Sequence, residues 1–219
     1  MAPPQKHCVV RHDSLISLLP ALRALCSLLQ TSHTKGIIIG GVAASLLGQP
    51  RMTADVDASI LLEETSVESF LHQAQAEGLI SRVTNPLEFA KRSAMLLMKD
   101  PVTEIAIDIA LGRLSFEREA ILKATPVNVG DFSVPLPTPE DLVVMKAIAH
   151  RPKDILDIRE IVLCRPDLNS TYIRQRTMEF AGALDMPELW TDIAGLFKTK
   201  RGRKRSSSAK KGRTNAKKS

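Results

Sequence analysis

The chain divides into short apolar runs and amphipathic stretches, and most of these carry a readable period. Leu15, Leu18, Leu19, Leu22, Leu25 and Leu29 recur at near-helical spacing, which predicts an amphipathic helix docked on a core. Pro20 either kinks that helix or marks its first turn. The stretch contains Arg23 and is too short to span a membrane, and no short cleavage motif follows it, so it does not read as a leader. Gly36–Ile39 is continuously apolar and reads as a buried strand, with Gly40-Gly41 opening a helix over residues 42–47. Residues 55–61 alternate: Val56, Ala58 and Ile60 share one face, and Asp55, Asp57 and Ser59 share the other.

Thr65-x-x-Glu68 is a capping box and predicts a helix running to about Gly78. Residues 93–98 and 104–111 are further strand candidates. In the second, Ile105, Ile107 and Ile109 oppose Ala106, Asp108 and Ala110. Residues 115–123 read as helix, and residues 126–129 and 132–135 as a hairpin around Gly130-Asp131. Thr138-Pro139-Glu140-Asp141 is a helix start, with a hydroxyl cap, a proline at the first position and acids in the first turn. Helix then continues to Lys198, broken near Arg151-Pro152, Arg165-Pro166 and Met186-Pro187. The order predicts an α+β fold: a small mixed β-sheet with flanking helices, followed by a C-terminal helical region.

Composition changes this picture in two places. Aromatic residues are only 4% of 219, which argues against a platform for stacking bases. The net charge of +6 is unevenly spread: residues 198–219 hold eleven Lys/Arg and no acid. That leaves nineteen basic and twenty-four acidic residues in 1–197, a net of −5. The basic run has almost no apolar side chain, so it reads as disordered. It serves either as a phosphate-binding arm for RNA or another polyanion, or as a solubilising extension. Three widely spaced cysteines, Cys8, Cys26 and Cys164, indicate neither a zinc site nor a disulfide framework, and suggest a reducing cytoplasm.

The candidate chemistry follows the strand–Gly-Gly–helix turn. Gly40 and Gly41 let backbone N–H groups approach an anion at a helix N-terminus, although such turns are also purely structural. Asp55 and Asp57 point to one face about 7 Å apart, at roughly 3.4 Å rise per residue. Alone, that pair could simply line a solvent-facing strand. Asp108, the one acid in an otherwise apolar strand, needs a partner or a metal. If its strand neighbours the first, three carboxylates converge where a divalent ion could neutralise a triphosphate held by the glycine turn. Arg51 offers a fork for phosphate, and Thr53 a hydroxyl for a carboxylate or a phosphate. Lys146, Arg151, Lys153 and Asp154 form a later cluster, either nucleotide-facing or a salt-bridged helix turn. His150 reads as a turn or packing residue.

Gly40-Gly41…Arg51-Met52-Thr53-Ala54-Asp55-Val56-Asp57, then Asp108 in "IDIAL", then "PLPTPEDLVVMKAIAHRPKDILDI" resembles the nucleotidyltransferase superfamily with the polymerase-beta-like fold. More narrowly, it resembles small nucleotidyltransferases of the AbiEii-toxin type. The resemblance covers residues 36–163. It implies Asp55, Asp57 and Asp108 as metal-binding and catalytic acids, and Mg2+ or Mn2+ as cofactor. An NTP is the implied donor, with Gly40 and Gly41 beneath its triphosphate. Arg51, Thr53, Lys146, Arg151, Lys153 and Asp154 are the implied remaining nucleotide-binding residues. Members act on tRNA, proteins or small antibiotics, and some pair with an antitoxin. The acceptor, and turnover as opposed to nucleotide binding alone, stay open in the motif. Unlike glycine-serine members, the chain has no hydroxyl at Gly41 for a terminal phosphate. The expected divisions are an N-terminal helix at 1–35, the nucleotidyltransferase core at 36–137, a helical region at 138–197 and the basic tail at 198–219.

Overall fold

A 3-10 turn, His12–Leu18, leads into helix α1, Leu19–Thr31, in a computed structural model that describes residues 12–63 and 66–202. Pro20 lies in the first turn of α1, where a missing N–H removes no hydrogen bond, so it starts the helix and does not kink it. Leu15, Leu18, Leu22, Leu25, Leu28 and Leu29 are all buried against the core.

The central sheet contains β1, Gly36–Ile39; β2, Asp55–Ile60; β3, Ile80–Ser81; β4, Met95–Lys99; and β5, Ala106–Leu111. Its order is β1-β2-β5-β4-β3, with β2 and β5 parallel and the other pairs antiparallel. Alternation sorts the two faces. Ile38, Val56, Ala58, Ile60, Leu96, Met98, Ile107 and Ile109 are buried in the main core. The opposite face is closed at the β1 end, where Ile37 packs with Ala120 and Ile121 of helix α5, Ser115–Leu122. Beyond that cover, Asp55, Asp57, Ala106, Asp108 and Leu97 stay only partly buried.

Helix α2, Gly40–Leu47, follows β1 directly, and α3, Val67–Ala76, follows β2. The expected capping residue Thr65 lies outside the described residues. Helix α4, Pro86–Ser93, and strand β3 are additions to the sequence expectation. Helix α4 is only eight residues long, too short a window for its period to stand out, and only Ala90 of it is buried. Two strands begin later than expected. Ala94 caps α4 with φ 54°, so β4 starts at Met95; Glu104 takes φ 60°, so β5 starts at Ala106. Strands β6, Thr125–Val129, and β7, Phe132–Leu136, form the expected hairpin.

Helices α6, Pro139–Ala149; α7, Pro152–Cys164; α8, Ser170–Leu184; and α9, Glu188–Gly202, complete the described chain. Thr138 caps α6 by accepting from the Asp141 N–H at 3.1 Å. Helix α9 continues through Gly202, so the basic run begins as helix where disorder was expected; residues 203–219 lie outside the described residues. Cys164 is disulfide-bonded, where the cysteine spacing had indicated no disulfide framework. Separation along the chain says nothing of separation in space, so cysteine usage no longer speaks for a reducing compartment. Cys26 is free and buried, and burial pushes its thiol up to about 12. Among the described residues no helix is long and apolar enough to cross a membrane.

Candidate active site

The parallel pairing of β2 with β5 sets Asp57 directly opposite Asp108, with Asp55 two residues earlier on the same face as Asp57. Three carboxylates thus share the uncovered part of one sheet face. Their crowding registers on Asp57. Burial pushes its carboxyl above the usual range, and the charges of Asp55 and Asp108 push it further. Lys153 and Arg151 pull the other way, which places a basic rim within electrostatic reach of the acids.

The two glycines make room for the motif's own side chains. Gly40 has φ 63°, and a Cβ there would lie 1.8 Å from Oδ2 of Asp57. A Cβ on Gly41 would lie 2.4 Å from Oγ1 of Thr53. Thr53 in turn donates its hydroxyl to Oδ1 of Asp55 at 3.0 Å, which orients that carboxylate. The Gly-Gly turn, Thr53 and the Asp-x-Asp strand are therefore one interlocked unit, in which each bare Cα seats a polar side chain.

The second cluster forms behind this unit. His150 ends α6 in the left-handed region, φ 50°, and its Nε2 lies 3.2 Å from Asp192. The turn delivers Arg151 and Pro152 to the start of α7. Arg151 donates from Nε to Asp154 Oδ2 at 2.6 Å. Lys146, only 4% exposed, bridges Asp154 at 3.2 Å and Asp157 at 2.6 Å. Arg51 grips Asp157 through Nε at 2.6 Å and Nη2 at 2.8 Å. Two almost fully buried carboxylates thus hold three cations, which satisfies the rule that buried charge must be paired. Burial raises the Asp154 carboxyl, but hydrogen bonds from Arg151 and Lys146 outweigh it and hold the group below the usual range. The bond to Asp157 raises Arg51 above its usual value, as the bond to Asp154 raises Arg151.

The structure therefore places Gly40, Gly41, Thr53, Asp55, Asp57 and Asp108 together, with Arg151 and Lys153 close enough to act on them electrostatically. It sets Lys146, Asp154 and the gripping nitrogens of Arg51 in the buried network. The Lys146 ammonium goes to Asp154 and Asp157, not to the acids of the sheet, which is the salt-bridged of the two arrangements the sequence left open. Two residues escaped sequence reasoning. Asp157 shares a helix face with Asp154, three positions away, and that spacing was the available signal. Arg82 carried none: it donates from Nη2 to Oδ1 of Asp108 across two intervening ladders.

Hard oxygen donors and excess negative charge suit a divalent cation at Asp55 and Asp57. Asp108 is engaged with Arg82, and among the described residues no three ligating groups already converge on one point. The acids lie on a partly exposed face, apart from a groove of about 400 Å3 between α3, α4 and β3.

A mixed sheet that sets an Asp-x-Asp strand parallel to a strand with a third acid, beside a strand–Gly-Gly–helix turn, defines the nucleotidyltransferase fold. The chain belongs to the family described as "Nucleotidyltransferase of unknown function (DUF6036)", whose model matches residues 14–186. It is thus a nucleotidyltransferase, an enzyme. Similar solved structures include the antibiotic-resistance factor ANT(2'')-Ia in solution, at 12% identity and TM-score 0.55, covering 78% of this chain and 96% of that one. A crystal structure of ANT(2")-Ia in complex with adenylyl-2"-tobramycin is similar at 13% identity and TM-score 0.53, covering 77% and 99%. An antigenic nucleotidyltransferase-like protein from Paracoccidioides brasiliensis reaches 16% identity over 83% and 92%, with a TM-score of 0.47. At these identities the first two likenesses show the fold alone, and the third carries no argument. No curated protein matches the chain in sequence.

Proposed function

We propose that the chain transfers a nucleoside monophosphate from an NTP to an acceptor hydroxyl at the open face bearing Asp55, Asp57 and Asp108. The observation that carries this reading is the register: Asp57 and Asp108 stand opposite each other on parallel strands, with Asp57 against Gly40 and within electrostatic reach of Arg151 and Lys153. The triphosphate lies along that turn, where Arg151 and Lys153 offset its charge. The acceptor oxygen attacks the α-phosphorus. The new O–P bond forms as the bond to the β-phosphate oxygen breaks, and pyrophosphate leaves. The hydroxyl proton passes to a carboxylate of the acid row. A divalent cation, Mg2+ or Mn2+, held by Asp55 and Asp57 would supply charge neutralisation at the phosphates. Thr53 keeps Asp55 turned toward that position.

A macromolecular acceptor, RNA above all, is favoured by the eleven basic residues of 198–219 on an otherwise acidic chain. The test incubates the full chain with each α-labelled NTP, Mg2+ or Mn2+, and total RNA or protein, and measures both macromolecular label and pyrophosphate. Label on RNA that disappears with Asp57→Asn supports the proposal. Pyrophosphate release with label only on a small molecule would overturn the macromolecular acceptor. Nucleotide binding without pyrophosphate release in every mixture would leave a nucleotide-binding module in place of transfer.

A further inference from the structure

Arg82 directly follows β3 and prolongs its pairing, with its backbone N–H donating to the Leu97 carbonyl at 2.8 Å. Its Nε donates to the Met98 carbonyl at 2.9 Å. The guanidinium is thereby fixed over β4 and laid toward Asp108, whose neighbour in the ladder is Leu97. Its Nη2 then closes an ion pair with the Asp108 carboxylate. The two side chains are 32% and 33% exposed, so the pair sits at the surface of the open face and is within reach of solutes. Among the described residues this is the one ion pair on the three acids: Asp55 takes only the Thr53 hydroxyl, and Asp57 lies against Gly40.

We propose that Arg82 is a positioning residue for Asp108, a resident counter-ion that competes with the divalent cation for that carboxylate. The inference rests on the reading of the acid row as a cation site. A guanidinium never loses its proton in this range, so Arg82 cannot accept one from a substrate hydroxyl. What it can do is hold Asp108 oriented while the face is empty, and yield it when stronger charge arrives. Release breaks one partly exposed contact and leaves the backbone pairing of β3 with β4 in place. A pair of that exposure is worth about two- to fivefold in an equilibrium constant, small enough for a divalent ion to overcome. A purely structural strut from the sheet edge to β5 would instead leave cation affinity untouched.

The experiment titrates the full chain with Mn2+ alone and follows free Mn2+ by electron paramagnetic resonance. Arg82→Gln is expected to bind Mn2+ about two- to fivefold tighter than the wild-type chain. Arg82→Lys, which keeps the charge, should remain near the wild-type affinity. In an Asp108→Asn background, Arg82→Gln should change nothing. Arg82→Met replaces Arg82→Gln if circular dichroism shows the latter misfolded. Equal or weaker affinity in the folded, uncharged variant overturns the proposal. If Asp57→Asn still loses Mn2+ in that case, the cation site stands and only the role of Arg82 falls. Absence of Mn2+ binding to the wild-type chain overturns both.

Discussion

Arg51 and Asp157 stand 106 positions apart and meet as a two-pronged ion pair, Nε to Oδ1 at 2.6 Å and Nη2 to Oδ2 at 2.8 Å. The pair fastens the loop before β2 to helix α7, and so fixes Thr53 and the acid strand against the helical region. A lysine offers one point charge where this fork makes two parallel bonds. Arg51→Lys should lower stability by about 1 kcal/mol, a value that allows for the partial exposure of Arg51. Urea unfolding reads it as a lower midpoint at constant slope; an unmoved midpoint would show that the fork contributes nothing.

Asp57 sits in a conflict that function maintains. Burial and two neighbouring carboxylates disfavour its charge, so Asp57→Asn should raise stability by about 1 kcal/mol while abolishing nucleotidyl transfer. Calorimetry and pyrophosphate release measured on one preparation would decide. A variant that is less stable, or one that keeps turning over, contradicts the assignment.

Two glycines separate backbone strain from crowding. Gly78 has φ 83°, and a Cβ there would meet nothing within 4 Å, so Gly78→Ala should cost only about 1 kcal/mol. Gly40→Ala has the same kind of φ and also drives a Cβ into the Asp57 carboxylate. Its cost should exceed that of Gly78→Ala by at least about 1 kcal/mol, with loss of nucleotide binding. Equal costs would mean that Asp57 swings away freely.

Asp154 gives a pH dependence of definite sign. Its folded pKa is held below the unfolded value, so its contribution is present above about pH 4 and is lost as pH falls through the folded pKa. Asp154→Asn should therefore destabilise at pH 7 by about 3 kcal/mol, because Lys146 and Arg151 lose a buried partner. The gap from wild type should narrow below pH 4. A gap constant down to pH 3 would contradict the ion-pair origin.

The basic run predicts a salt-sensitive arm. Removing residues 203–219, beyond the end of α9, should weaken RNA binding and flatten its dependence on salt concentration. Identical affinity and identical slope for the two chains would leave the run as a solubilising extension.

Elements whose own residues announce their ends were legible in the sequence. Thr138-Pro139 starts α6, and Gly36–Ile39 runs into Gly40 at the positions the pattern suggested. The acid strand was legible because alternation places Asp55 and Asp57 on one face whatever lies beside them. The adjacency of Asp108 rests on strand order, which no local pattern encodes, and it was inferred through family likeness. Arg82 was illegible because its partner lies 26 positions away across two ladders. For Lys146 the sequence left a nucleotide-facing and a salt-bridged arrangement open, because no local pattern shows that two aspartates one turn apart draw it inward.

Parallel pairing of β2 and β5 also dictates an order of events during synthesis. Asp57 leaves the ribosome 51 residues before Asp108, and a parallel partner cannot be reached by a tight turn. Closing a span of that length costs on the order of 3 kcal/mol of chain entropy before any ladder bond repays it. A nascent chain ending before Ala106 already carries the glycine turn and both acids of β2, yet has no strand on which to set the third. On the reading proposed above, the acid row is complete only once β5 has been made and inserted at the centre of the sheet, between strands translated earlier.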